Sequence, residues 1–368
     1  MIYNYLMTKN AYIHIPFCRQ KCNYCSFVSF PKIKYKEPYL KNLSKEIQYR
    51  YKNEELDTLY FGGGTPSLLT PEEFKHLINL FNVSENTEIT AELNPENLSY
   101  EYLKALKETG INRISIGCQT FNDDILKIIG RKHSSKQVKI VVSEAQKAGF
   151  DNISLDFIYG LPEQKCEDFE NDLITATKLG IQHISLYGLK IDDGCYFKSH
   201  YPKNLPDEDL QADMYLKAIE IMTSKNFEHY EISNFALKNF YSKHNLNYWN
   251  NNTYYGFGIA AHGYICGIRY SNTNTFKNYF NNPAIPAEQK QLTESEKLEE
   301  EIFLGFRRMA GINVNLINSK YNIDFNDKYK IIIKKYLDSG HLIKTEYGYK
   351  FSTEGVLLSN YILADFIE

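Results

Sequence analysis

Along this 368-residue chain, short apolar runs alternate with longer amphipathic stretches. Three segments nearly repeat one another: Lys107 to Ile116, Lys147 to Leu155 and Lys178 to Leu186. In each, a lysine sits in the last turn of a predicted helix, glycine follows within three residues, and a β-rich run begins at once. Gly110, Gly149 and Gly180 suit the left-handed position that closes a helix. Self-similarity at the length of one βα unit means stacked units, and strands alternating with helices mean a parallel sheet. The pattern predicts strands over 11–16, 57–61, 87–92, 112–116, 152–158 and 182–187. Helices are predicted over 37–53, 71–81, 99–109, 122–130, 134–148, 166–179 and 207–225. The helix at 71 has a strong start: Thr70 as cap, Pro71 in the first turn, then Glu72 and Glu73. Six βα units predict an α/β fold whose sheet curves into an open barrel. A closed eight-unit barrel would need two more units, which the pattern does not show.

The C-terminal pattern differs. Asn282 to Pro286 reads as a linker, so the expected division is 1–280 and 281–368. Thr293 and Glu296 form a capping-box pattern before a helix over 297–308. Helices over 314–320 and 327–338, a hairpin over 341–351 turning at Tyr347 and Gly348, and a helix over 353–366 complete a winged-helix-like α+β domain. Such domains often bind DNA, but basic residues are not concentrated here. A lid or docking surface over the barrel mouth is the expected role.

Composition narrows the class. The formal net charge of -3 offers no electrostatic case for nucleic acid. No apolar run is long enough to span a membrane. The start of the chain, through Lys9, lacks the basic and apolar regions of a secretory signal. Seven cysteines without such a signal point to a reducing cytoplasm rather than a disulfide framework.

Three of those cysteines carry the chemistry. Cys18, Cys22 and Cys25 follow the first predicted strand in a C-x3-C-x2-C spacing. A structural zinc site wants four closed ligands, usually as two pairs, and Cys118, Cys166, Cys195 and Cys266 are scattered singly. Three thiolates at short spacing instead suit three irons of a cubane cluster, leaving the fourth iron open to a small molecule. Other polar groups also follow strands: Gly62 to Thr65 after the second, Glu92 closing the third, Gln119 just beyond the fourth, Asp156 in the fifth and Tyr187 ending the sixth. Ligands of parallel βα folds bind at this end of the sheet. The glycines permit close approach to backbone, Glu92 and Asp156 can accept from an ammonium group or ribose hydroxyls, and Arg131 can grip a carboxylate. Together they fit a zwitterionic nucleoside such as S-adenosylmethionine.

These motifs resemble those of the radical S-adenosylmethionine superfamily and, within it, the oxygen-independent coproporphyrinogen III oxidase group, over nearly the whole chain. The resemblance implies a partial (β/α)6 TIM-like barrel and a [4Fe-4S] cluster on Cys18, Cys22 and Cys25. It implies S-adenosylmethionine on the exposed iron, with Gly63, Gly64 and Thr65 at its methionine part. Glu92, Gln119, Arg131 and Asp156 would surround the rest, and Tyr12 and Tyr24 would border the site. The oxidase carries another cysteine two residues after the third, where this chain has Phe27, and a longer segment before its first strand. Both departures match the haem-chaperone (HemW) subfamily, whose members carry an H-N-x-x-Y-W motif. Here it is His244, Asn245, Tyr248 and Trp249, the only tryptophan. The implied function is binding haem as cargo and passing it to an acceptor, expected to be a respiratory or membrane-associated haem protein. The alternative is oxidative decarboxylation of coproporphyrinogen III. Read from residues alone, His244 is either an axial haem ligand or, more commonly, a loop histidine bonded to backbone; the resemblance favours haem.

Overall fold

The computed structural model describes residues 8–96 and 98–367. The stretch 1–7, most of the segment read for a targeting signal, lies outside them. The six predicted strands form as β1 (Asn10–Ile15), β2 (Thr58–Gly63), β3 (Glu88–Leu93), β4 (Arg113–Gln119), β5 (Ile153–Tyr159) and β6 (His183–Gly188). They pair in sequence order and in parallel. The predicted helices between them all form, the longest being Lys36–Arg50, Ser135–Lys147 and Glu208–Ser224. The capping box at Thr70 and Glu73 is present. Gly110, Gly149 and Gly180 have φ of 105°, 92° and 70°. At Gly149 an added Cβ would meet nothing within 4 Å, so the demand there is for left-handed backbone alone.

Six strands become nine. Beside β6, the short β7 (Glu228–Glu231) and β8 (Asn234–Ala236) extend the sheet antiparallel, and β9 (Tyr255–Phe257) pairs in parallel with β1. The order is β7-β8-β6-β5-β4-β3-β2-β1-β9, so the sheet stays open. At three or four residues each, the added strands are too short for a periodicity to register.

Side chains alternate along each strand. One set is apolar and inaccessible: Ile13, Phe61, Ala91, Ile116, Leu155 and Ile184 belong to one core shared with the inner faces of the helices. Burying a side chain of this kind is worth roughly 1.5–3 kcal/mol. The other set is polar: Asn10 and Tyr12, Thr58 and Tyr60, Glu88, Thr90 and Glu92, Arg113 and Ser115, Ser154 and Asp156, His183 and Ser185. Parallel strands covered on both faces normally read as nearly continuous apolar runs. Here one face is polar, and it lines the barrel lumen.

Helix Lys243–Trp249, which the pattern did not predict, closes the lumen at the amino ends of the strands. Asn10, the first residue of β1, donates to Asn247, and Glu88, the first of β3, accepts from the His244 amide.

A second antiparallel sheet holds β10 (His262–Ile265), β11 (Ile268–Ser271) and β12 (Glu288–Gln291). It spans position 281, where the two domains were expected to divide. Beyond it, helix Glu294–Gly305 opens with the expected capping box at Thr293. A third sheet, in the order β13-β15-β14, joins β13 (Ile312–Asn313), β14 (Leu342–Lys344) and β15 (Gly348–Phe351). The predicted hairpin is β14 and β15; β13 was not predicted. The predicted helix at 327–338 divides at Tyr329 and that at 353–366 at Leu358. This helical unit with its small sheet has a separate core around Phe306, Phe325, Ile333, Phe351 and Phe366.

Candidate functional site

A cavity of about 420 Å³ opens at the carboxyl ends of the strands. Its lining includes Cys18, Cys22, Tyr24, Cys25, Gly63, Gly64, Thr65, Glu92, Gln119, Arg131 and Asp156. Of the expected strand-end residues, Gly62 and Tyr12 are not in this lining.

The cysteine loop runs between β1 and helix Lys36–Arg50. The Cys18 amide donates to Phe30 O at 3.2 Å and the Asn23 amide to Ile129 O at 3.0 Å. Cys18 Sγ lies 3.3 Å from the Thr65 hydroxyl, and Arg131 donates to Cys22 Sγ at 3.7 Å. All three cysteines are free and partly exposed. Burial, with Cys22 and Cys18 adding, pushes the Cys25 thiol up to about 11 against the pull of the Phe27 amide. Cys25 therefore favours the neutral thiol until a cation draws off its proton. Among the described residues no three His, Cys, Asp or Glu side chains converge as ligands of a single metal ion. Thiols standing around a space, each free to take a separate iron, fit a cluster.

Close packing explains the glycines better than ligand approach does. A Cβ on Gly64 would lie 2.6 Å from Phe17 O, and one on Gly63 would lie 2.6 Å from the His14 ring. These glycines press β2 and its following turn against the stem of the cysteine loop. The Gly63 amide, at φ 113°, donates to Glu92 Oε2 at 3.2 Å. Tyr60 donates to Glu92 Oε1 at 2.9 Å. Burial first, then the neighbouring Asp156, pushes the Glu92 carboxyl up to about 7. Asp156 accepts from Ser115 at 2.8 Å; burial raises its pKa, while the hydroxyls of Ser115 and Ser185 and the charge of Arg113 oppose the rise.

Gln119 ends β4 at φ 68°, left-handed backbone in a residue other than glycine. The register with β5 shifts between Gly117 and Gln119. This bulge brings Gln119 to the rim, and strain of this kind concentrates at working sites. Arg131 does not reach freely into the cavity. It donates to Gly117 O at 2.7 Å and to His133 Nδ1 at 3.2 Å. With Nδ1 accepting, His133 Nε2 carries the proton and donates to Cys118 O at 3.1 Å. Burial, followed by Arg131, holds the His133 pKa down to about 3, so the ring stays a neutral buttress.

Below the cavity lies a second chamber of about 190 Å³ inside the lumen. Tyr12 is here, its hydroxyl 3.1 Å from His14 Nδ1. Glu92, Ser115, Asp156 and Tyr187 border both spaces. His244 lines the chamber from the opposite end to the cysteines. Its Nδ1 is 2.7 Å from the Thr58 hydroxyl, its Nε2 2.8 Å from the Tyr248 hydroxyl, and its ring stacks on Tyr60. Burial, then Arg113, holds its pKa down to about 3. Arg113 is itself fully buried, and its Nε has no partner among the described residues. Neither Arg113 nor His133 was singled out from the sequence. The polar alternation along the strands is the signal that would have revealed the chamber.

The sequence profile of the Radical SAM superfamily matches residues 12–175. The heme chaperone HemW of Bacillus subtilis is 37% identical, covering 98% of this chain and 99% of its own length. That of Lactococcus lactis is 36% identical, covering 97% of each. Among solved structures, Escherichia coli coproporphyrinogen III oxidase, HemN, superposes with a TM-score of 0.86 over 98% of this chain and 90% of its own, at 21% identity. That likeness establishes the barrel and its C-terminal extension as one shared fold. The end-to-end identity to the chaperones, together with the cysteine loop and its cavity, makes this chain a member of the HemW subfamily of the radical SAM superfamily.

Proposed function

We propose that this protein is a haem chaperone. It would hold a [4Fe-4S] cluster on Cys18, Cys22 and Cys25, bind S-adenosylmethionine in the adjoining cavity, and pass haem to an acceptor such as a respiratory or membrane-associated haem protein. The carrying observation is the identity to heme chaperones over 98% of the chain. The cavity supports it: three free thiols share its wall with the carboxyls of Glu92 and Asp156 and with Arg131. When bound, the cluster would supply an iron without a protein ligand. Around it, Glu92 is placed to take an ammonium group, Asp156 to accept from hydroxyls, and Arg131 to hold a charge beside Cys22. Gly63, Gly64 and Thr65 would form the wall facing the methionine part. No helix among the described residues is long and apolar enough to cross a membrane, in keeping with a cytoplasmic site of action. Two separate cores support a barrel unit over 1–280 and a C-terminal unit over 281–368, with β12 reaching back across that boundary.

The haem role expected of His244 has a structural requirement. Its ring would have to give up the Thr58 or the Tyr248 bond and leave the lumen before either nitrogen could meet iron.

Anaerobic reconstitution tests the reading. The expected product is a brown protein with about four irons and four sulfides. It should lose them in Cys18→Ala and develop a Soret band on haem addition. Protein that stays colourless and takes up no haem would sink the proposal. Formation of protoporphyrinogen from coproporphyrinogen III would replace it with the oxidase reading.

A further inference from the structure

We propose that the inner chamber is a binding site for a small monocarboxylic acid, with Arg113 holding its carboxylate. This inference goes beyond the chaperone reading and does not depend on it.

Arg113 opens β4, is 1% exposed and lines the chamber. Among the described residues its guanidinium forms no ion pair and its Nε has no hydrogen-bond partner. The hydroxyl of Thr90, its register partner on β3, is a second buried polar atom without one. A buried cation is costly unless an opposite charge meets it. Glu92 and Asp156 border the chamber but are held by other donors. Tyr60 and the Gly63 amide donate to Glu92, and Ser115 donates to Asp156. Burial raises the pKa of both carboxyls, which favours their neutral forms beside an incoming anion.

The other polar groups of the lining sort by where their protons go. His14 Nε2 donates to Val28 O, so its Nδ1 accepts the Tyr12 proton. Thr58 donates to Asn10, so its oxygen accepts from His244 Nδ1, and His244 Nε2 accepts the Tyr248 proton. Tyr60 gives its proton to Glu92. Arg113 keeps free donors. So does the side-chain amide of Asn245, on the helix that closes the lumen, which has no partner among the described residues. A guest that accepts hydrogen bonds is served here, and beside an unpaired guanidinium an anion is served best.

Charge and shape narrow the class. A guanidinium takes a carboxylate by its planar fork. One cation balances a monoanion, whereas a phosphate dianion would add charge beside two carboxyls. The Tyr12 and Tyr60 rings stack at 6.0 Å and the Tyr60 and His244 rings at 4.9 Å, an aromatic wall for a short hydrocarbon tail. At about 190 Å³ the chamber is smaller than the roughly 300–1,000 Å³ of ordinary ligand pockets, so the acid is small.

The test titrates acetate into the full-length protein labelled with [15N]arginine, with chloride holding the ionic strength constant. One buried Nε–H resonance should shift saturably, and the melting midpoint should rise with acetate. Arg113→Gln should lose that resonance, bind acetate at least ten-fold more weakly and abolish the rise, whatever its own midpoint. A wild-type crystal grown in acetate keeps the test independent of the variant's folding, and should show the carboxylate on Arg113. Water alone on Arg113 in that crystal, an Nε–H unmoved by acetate, or acetate binding that survives in Arg113→Gln overturns the inference.

Discussion

At Glu92 two demands meet on one carboxyl. The Tyr60 hydroxyl and the Gly63 amide donate to it, which favours its charged form, while burial and Asp156 oppose that form and raise its pKa to about 7. An ordinary glutamate ionises near 4.3. Between those values the unfolded chain has released the proton and the folded one retains it. Stability of the ligand-free protein therefore falls as pH rises through that window, and the loss is complete above about 7. Glu92→Gln should raise the melting midpoint at pH 8 by a few degrees relative to wild type while weakening S-adenosylmethionine binding; a lower midpoint would contradict the burial argument. A cation bound beside Glu92 favours the carboxylate. Calorimetry should thus show tighter binding as pH approaches about 7, a plateau above it, and proton release below it. Gly64 is constrained differently. An added methyl would meet Phe17 O and Ile15 O, backbone atoms that cannot swing aside. Gly64→Ala should cost roughly 1–3 kcal/mol in a urea melt. Iron content should fall too, because Phe17 leads directly into Cys18.

Elements long enough to repeat a period were legible in the sequence. Six strands and the helices between them lie within a few residues of their predicted places, since each bears an apolar stripe and most helices a cap or a closing glycine. Strands β7 to β13 and helix Lys243–Trp249 were not, because elements of two to seven residues are too short to show a period. The cysteine loop and strand-end acids could be read because their spacing and position carry the chemistry. The inner chamber, the Arg131 buttress at His133 and the engagement of His244 arise from pairings far apart in the chain. Glu46 illustrates such a pairing. Wholly buried in helix Lys36–Arg50, it takes bonds from Arg50 at 2.6 Å, the Gly258 amide at 2.8 Å, Asn272 at 2.7 Å and Tyr279 at 2.6 Å. It joins that helix to the segment before β10 and to the connection between β11 and β12. Glu46→Ala leaves Arg50 without its carboxylate and these donors unmet, and should cost about 3–5 kcal/mol. An unfolding free energy within about 0.5 kcal/mol of wild type would show that water replaces the network.

At the scale of the molecule, the barrel and the C-terminal unit meet along one seam. The Ile232 amide donates to Arg307 O and the Met309 amide to Tyr230 O. The Arg307 guanidinium lies 4.3 Å from the ring of Trp249, and 3.9 Å from buried Glu231. Trp249 is the only tryptophan, so its fluorescence reports this junction. Arg307→Ala should shift its emission and lower the first unfolding midpoint; an unchanged spectrum would mean the seam holds without that contact. The sheet order has a consequence for synthesis. The strand that leads into the cysteine loop emerges from the ribosome before the rest of its sheet, and its outer partner, β9, lies more than two hundred residues later. Until that partner arrives, the founding strand is a bare edge and the polar bore has no stopper. A nascent chain in this state invites mispairing with its neighbours, so slowing translation before residue 255 should increase aggregates, and supplying the later segment in trans should suppress them.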